Sequence, residues 1–350
     1  MDVRRAATVA LQLLARELAD PRPGQWPAVA RLAWQTFRRA PALALPPLHL
    51  QVEPTSRCNL RCPMCEHGSF GGRGADLPPA RLAGLLAEVP ALRSVDLTGI
   101  GEPLLHRGFA ELLHLTGARR LRVRFNTNAT LLAGAARALV LAGGVDEVHV
   151  SLDGATAATF DAQRPGAGFG RVTANVRALT AARRRGGPRV SLQLVLTPAS
   201  LAEAPALVDL AADLGADAVS CQGLLGVPAA QNPLLAAPDA VRATLAAARA
   251  RARRRGLTFT APALRAPRGC CPLPWTQAFV QVDGVVLPCC LYSQRRERDG
   301  IARRHGMGRI GEQPFAAIWN GTGYRRLRTE LAAGRRPGPC ASCPLPAGLY

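Results

Sequence analysis

The chain contains no lysine: all 44 basic residues are arginine, against 24 acidic residues, for a formal net charge of +20. Aromatic residues are also scarce, at 5%. A nucleic-acid surface needs basic residues clustered with aromatics on which bases can stack. Here the arginines are spread along the chain, with short runs such as Arg183–Arg185 and Arg253–Arg255 near predicted helix ends. A cation complements the helix dipole there, so the charge reads as solvated helix ends and compositional bias, and nucleic acid is not an expected partner. No apolar run reaches the ~20 residues that cross a bilayer, so no membrane span is expected. Charged residues make up only 19% and mean hydropathy is +0.05, which excludes a mainly disordered chain. At 350 residues the chain can bury a sizeable core, which aliphatic side chains and alanine must fill.

The N-terminus opens with Arg4 and Arg5, then a short apolar stretch broken by Gln12. No convincing small-residue cleavage site follows, so the stretch reads as an amphipathic helix and not as a secretory signal. A cytoplasmic location is expected. In that setting the ten cysteines read as metal ligands or catalytic thiols before disulfides.

Residues 1–45 are helical in pattern and form an N-terminal extension broken at Pro21, Pro23 and Pro27. From 46 to 260, apolar β-type runs alternate with helical ones. Strands are predicted at Leu48–Glu53, Ser94–Thr98, Leu121–Thr127, Glu147–Leu152, Val190–Thr197 and Ala218–Leu224. Helices are predicted around Pro79–Glu88, Phe109–Thr116, Leu131–Leu141, Arg171–Arg185, Glu203–Leu214 and Val241–Arg254. Such alternation argues for parallel βαβ units with right-handed crossovers, either an open doubly wound sheet or a partial barrel. Residues 261–350 are rich in Pro, Gly and Cys, with a predicted hairpin of Gln277–Val282 and Val285–Leu287 turning at Asp283-Gly284.

Cys58, Cys62 and Cys65 directly follow the first predicted strand of the series, three thiols within eight residues. They can converge on one metal centre. With His67 they could form a Cys3His zinc site. Alternatively, four irons held by three thiolates leave one iron free to bind a substrate or cofactor.

The Cys-x3-Cys-x2-Cys spacing, in the run Glu53-Pro-Thr-Ser-Arg-Cys-Asn-Leu-Arg-Cys-Pro-Met-Cys65, resembles the signature of radical S-adenosylmethionine (SAM) enzymes. The likeness covers roughly residues 48–350 and points to the branch with a C-terminal SPASM or twitch cluster domain. It implies a partial (β/α)6 TIM-like barrel whose 4Fe–4S cluster binds SAM. It further implies reductive cleavage of SAM to a 5′-deoxyadenosyl radical, which abstracts hydrogen from a small-molecule or peptide substrate in an oxidation or other tailoring step. An electron donor such as flavodoxin or ferredoxin is the implied partner. The radical chemistry is the cofactor's, and the protein supplies aim and seclusion.

The same likeness suggests SAM contacts on loops that follow strands. Gly99-Ile-Gly101-Glu102 resembles the family's Gly-Gly-Glu motif, with Ile100 inserted and Glu102 facing the SAM ammonium. Asn128 matches a position usually followed by glycine, where this chain has Ala129. Ser151 resembles a SAM-bonding residue, Arg164 one near the SAM carboxylate and Gln193 a ribose contact. Met64 stands where many members carry an aromatic beside the adenine.

In the second cysteine group, Cys271, Cys289, Cys340 and Cys343, with Gly284 five positions before Cys289, resemble the twitch form, which holds one auxiliary 4Fe–4S cluster. Cys270 and Cys290 could exchange roles with their neighbours. Cys221 reads as a buried small hydrophobe. Structural zinc also uses four cysteines, so two rival readings stand: an RNA-modifying radical SAM enzyme, and a non-enzymatic zinc-binding protein.

Overall fold

A computed structural model describes residues 26–69, 74–223, 237–262, 271–293, 297–341 and 343. The first piece of the N-terminal extension and Cys270 lie outside them. Seven parallel strands run in sequence order across one sheet: β1 (His49–Val52), β2 (Ser94–Asp96), β3 (Arg122–Thr127), β4 (Glu147–Ser151), β5 (Arg189–Leu196), β6 (Ala218–Gly223) and β7 (Thr258–Thr260). A doubly wound sheet reverses direction at a switch point. This order never reverses, so right-handed crossovers put every connecting helix on one face, as in a partial barrel.

The predicted strands agree with the observed ones to within a residue or two at each end. The predicted helices recur as Pro79–Glu88, Phe109–Ala118, Gly134–Ala142, Phe169–Ala182, Ala204–Asp213 and Pro238–Arg254. The short strand β7 was not expected. It pairs with β6 through Ala218↔Thr258, Val219↔Phe259 and Ser220↔Thr260.

Strand alternation separates two environments. Leu50, Val95, Val123, Phe125, Val148, Val150, Val190 and Leu192 are buried against helix residues such as Leu82, Leu112, Val176 and Leu207. The intervening residues are polar and half-buried, and they bond to one another across the concave face. Arg124 Nε donates to Asp96 at 2.9 Å. Asn126 Nδ2 donates to Gln193 Oε1 at 2.8 Å, from β3 to β5 over the intervening β4. A side-chain bond that skips a strand requires the sheet to curl toward it.

The C-terminal module extends the same sheet. The predicted hairpin forms as β8 (Gln277–Val280) and β9 (Val285–Leu287), and Gly284 takes a φ of +92° in its turn. β8 lies parallel to β1, and β10 (Gly308–Arg309) completes a ten-stranded sheet whose edges are β10 and β7 among the described residues. The module also clasps the segment before β1. Trp275 Nε1 donates to Ala40 O at 2.8 Å and Trp319 Nε1 to Leu45 O at 3.0 Å. Arg328, with no exposed surface, gives hydrogen bonds to Pro41 O, Pro274 O and Trp319 O and stacks on Trp319.

Candidate functional site

A cavity of about 220 Å³ opens at the C-terminal ends of the barrel strands. Cys58, Cys62 and Cys65 line it, and so do all eight residues expected to contact SAM: Met64, Gly99, Gly101, Glu102, Asn128, Ser151, Arg164 and Gln193. They arrive from the loops after β1, β2 and β3, from the end of β4, from the segment after the helix Ala157–Gln163, and from β5. This is where a (β/α) barrel gathers its chemistry, because the loops vary while the strands hold position.

The thiols form one electrostatic group. Burial pushes the Cys58 thiol up to about 11, with smaller contributions from Glu102, Cys65 and Cys62. Burial also raises Cys62 and Cys65, and the Arg164 guanidinium pulls against it at both. Such thiols stay protonated until a cation arrives, and a bound metal reverses that preference. No three of the described His, Cys, Asp and Glu side chains close on one point that would hold a single metal ion. Three thiols line one cavity wall and His67 turns its Nε2 to Ser56 O, a donor set that fits a three-thiolate 4Fe–4S cluster with one open iron.

His67, weighed as a fourth zinc ligand, points its Nε2 at Ser56 O (3.1 Å) and leaves Nδ1 without a partner among the described residues.

The loop after β2 is packed against the loop after β1. A Cβ on Gly101 would lie 2.3 Å from Thr55 O and 2.5 Å from Arg57 O, while one on Gly99 would lie 2.1 Å from Glu53 Cγ. Only glycine permits that approach. Glu102 N–H donates to Arg57 O at 2.8 Å. The Glu102 carboxylate accepts from Asn128 N (2.7 Å), Thr127 Oγ1 (2.7 Å) and Leu104 N (3.2 Å). Burial raises its pKa, and these donors together with Arg164 oppose the rise. The result is a buried acceptor, already oriented, in the cavity wall.

Asn128 reaches Asn59 Oδ1 at 3.0 Å through Nδ2 and accepts from Thr130 N and Oγ1. Ala129, the departure from the family's glycine, adopts a φ of +57°. That left-handed position is one glycine fills without strain, which explains the usual residue. The buried Ala129 methyl group offsets part of the cost.

Arg164 Nε donates to Asp153 at 2.5 Å, and Asp153 also accepts from Val195 N at 2.7 Å. Asp153 reads from sequence as a turn residue; in the fold it is fully buried and anchors the arginine. Gln193 is held at both ends, by Asn126 and by His149 Nδ1. Sequence reasoning named Gln193 but missed the chain of Asn126, His149 and Glu147 that holds it. A period-two run of polar residues within the strands was the signal that could have shown it. It also missed Thr98, Gln222 and Gly223 in the cavity wall.

The second cysteine group packs beside the hairpin. Cys289, Cys290, Cys340 and Cys343 share an apolar cluster with Phe279, Leu287, Tyr292 and Ile301. Burial drives the Cys289 thiol well above its ordinary value, and Cys290, Cys271 and Cys340 add to that. Tyr292 Oη lies 3.2 Å from Cys340 Sγ. Cys290, Cys271 and Cys340 thus all lie near Cys289. Cys221 lies buried in β6, its thiol pushed up to about 12 by burial.

Two family comparisons agree with this geometry. Residues 52–211 match the Radical SAM superfamily and residues 270–344 match SPASM, an iron–sulfur cluster-binding domain. The chain belongs to the radical SAM superfamily, in the branch with a SPASM domain. It is a radical SAM enzyme whose cofactors are SAM, a SAM-binding 4Fe–4S cluster and an auxiliary 4Fe–4S cluster.

The chain is 26% identical over 311 residues to the tungsten-containing aldehyde ferredoxin oxidoreductase cofactor-modifying protein of Pyrococcus furiosus, covering 85% of this chain and 87% of that one. It is 28% identical over 323 residues to the PqqA peptide cyclase of Xanthomonas euvesicatoria pv. vesicatoria, covering 87% and 82%. Its fold is similar to that of Streptococcus suis SuiB bound to precursor peptide SuiA, with a TM-score of 0.67 at 17% identity over 91% of this chain and 73% of that one. No helix among the described residues is long and apolar enough to cross a membrane.

Proposed function

We propose that the chain cleaves SAM reductively and directs the resulting 5′-deoxyadenosyl radical at a hydrogen atom of a peptide substrate. The observation that carries this reading is the single cavity lined by all three cysteines of the motif and all eight candidate SAM contacts. When bound, the three-thiolate cluster supplies the electron for SAM cleavage.

The chain's own residues do the rest. Cys58, Cys62 and Cys65 hold three irons. Glu102 accepts from the SAM ammonium, and the glycines beside it let the loop backbone approach. Arg164, fixed through Nε by Asp153, neutralises the SAM carboxylate. Gln193 bonds the ribose, Ser151 bonds SAM beside it, and Met64 packs on the adenine. Residues 46–260 form this catalytic core behind the 1–45 extension, and residues 261–350 hold the auxiliary cluster through Cys271, Cys289, Cys340 and Cys343. Flavodoxin or ferredoxin supplies electrons.

A peptide substrate is favoured because the PqqA peptide cyclase is named for one and SuiB was solved with one. No observation favours RNA. Several exposed arginines lie in dispersed ion pairs, such as Arg255 with Asp213 and Arg304 with Glu297.

The test is anaerobic reconstitution, chemical reduction and measurement of 5′-deoxyadenosine. Wild-type protein should release it. The Cys58→Ala/Cys62→Ala/Cys65→Ala variant should release none, and undiminished release by that variant would refute the assignment.

A further inference from the structure

Glu53 directly follows β1 and has no exposed surface, and Arg298, from the C-terminal module, is 4% exposed. The two form a bidentate ion pair. Arg298 Nη1 donates to Oε1 at 2.7 Å and Nη2 donates to Oε2. Each oxygen also takes a backbone donor, Ile100 N–H on Oε1 at 2.9 Å and Val282 N–H on Oε2 at 3.0 Å. Ile100 sits between the two glycines of the loop after β2. Val282 lies at the tip of the β8–β9 hairpin. One carboxylate therefore ties the candidate SAM loop to the C-terminal module.

The tie continues toward the second cysteine group. Arg298 begins the helix Arg298–His305, whose Ile301 and Ala302 pack in the apolar cluster containing Cys289, Cys290 and Cys340. At its other end the His305 ring meets Tyr292 edge-on at 5.9 Å, and Tyr292 Oη contacts Cys340.

We propose that Arg298 is a positioning residue for SAM binding: through Glu53 it makes the shape of the Gly99–Gly101 loop depend on the state of the auxiliary cysteine site. The proposal rests on the reading of that loop as a SAM contact. The Arg fork fixes the plane of the carboxylate, and that plane sets the direction of the lone pair on Oε1 that holds Ile100 N–H. The carboxylate is an acceptor on both oxygens and faces four donors. An amide in its place would turn a donor onto a donor. Coupling of this kind is reciprocal, so SAM should in turn steady the auxiliary site.

A double-mutant cycle tests it. Four reconstituted full-length proteins are compared: wild type, Cys340→Ala/Cys343→Ala, Glu53→Gln/Arg298→Met, and the combination. SAM affinity is measured by equilibrium dialysis, beside iron content and melting temperature. Removing both charges together is far gentler than stranding one of them.

Loss of the auxiliary cysteines should weaken SAM binding about tenfold, within the usual range of allosteric coupling, when Glu53 and Arg298 are present. It should have an effect of about twofold or less when they are absent. Equal weakening in both backgrounds, or none in either, would overturn the proposal. Failure of the wild type to bind SAM would overturn the reading of the site, and the coupling with it.

If the double variant does not fold, Arg298→Lys carries the test. It keeps the charge and loses the fork, and should weaken SAM about fivefold at unchanged iron content, the lower end of the coupling range. Unchanged affinity in that variant would equally overturn the proposal.

Discussion

Replacing Gly101 with alanine tests the placement of the SAM loop with a single methyl group. The new Cβ would stand 2.3 Å from Thr55 O, 2.5 Å from Arg57 O and 2.9 Å from Arg57 N, all backbone atoms of the segment leading into Cys58. A flexible side chain could swing away, but here one loop must move. Overpacking of this kind costs roughly 1–3 kcal/mol. Separating the loops also breaks the bond from Glu102 N–H to Arg57 O, worth about 1 kcal/mol. A total of about 2–4 kcal/mol is therefore divided between stability and SAM affinity. If half of it falls on the bound shape of the loop, affinity drops about five- to thirtyfold. Gly84, in the helix Pro79–Glu88, is the control: a Cβ there meets nothing within 4 Å. Gly84→Ala should stabilise by about 1 kcal/mol through helix propensity and leave SAM binding alone. The assays are thermal melting and equilibrium dialysis on reconstituted protein. A Gly101→Ala protein with wild-type melting and SAM affinity within twofold would refute the argument, because the methyl would then have found room that the backbone does not offer.

Much of the fold was legible because parallel strands buried by helices carry a plain apolar signal. Runs such as Val190–Leu196 announce themselves, and Asp283-Gly284 marks its own turn. The attachment of β8 alongside β1 was not legible. It joins segments more than 220 residues apart, His49↔Gln277 and Val52↔Val280, and no local pattern encodes that pairing. The three-residue strand β7, half-exposed at the sheet edge, is too short to show a period.

The site divides in the same way. Cysteines and strand-following loops were legible because the chemistry fixes residue type and spacing. The residues that aim them were not. Asp153 looks like any turn aspartate until its burial and its hold on Arg164 are seen. Arg298 is one arginine among 44, and its importance lies in meeting Glu53 from 245 positions away. Asn126 and His149, which hold the expected Gln193, matter because the sheet curls, and curvature is a tertiary property.

Three further outcomes can be checked. The Cys58→Ala/Cys62→Ala/Cys65→Ala variant should keep about four irons and four sulfides in the auxiliary site, and adding Cys340→Ala and Cys343→Ala should remove them. One zinc and no sulfide in the triple variant would instead make the module structural. Glu102→Gln should weaken SAM binding by more than about tenfold, the worth of a charge-assisted hydrogen bond, at unchanged iron content; equal affinity by calorimetry would reject its role. The last concerns the polar chain behind Gln193. The hydrogen bond from His149 pulls the Glu147 carboxyl down from 4.5 to about 2; burial opposes this, and the charges of His149, Arg124 and Arg122 add to it. A carboxylate depressed in the folded state adds stability that is fully present above about 4.5 and is lost as pH falls toward about 2. At one pKa unit per 1.36 kcal/mol, the contribution is at most about 3 kcal/mol. Denaturant unfolding of cluster-free wild type and Glu147→Gln should differ by up to that amount at pH 6, and the gap should close steadily on acidification. A gap that stays constant down to the folded pKa of about 2 would mean that the Glu147 carboxylate gains nothing from its folded surroundings, His149 included.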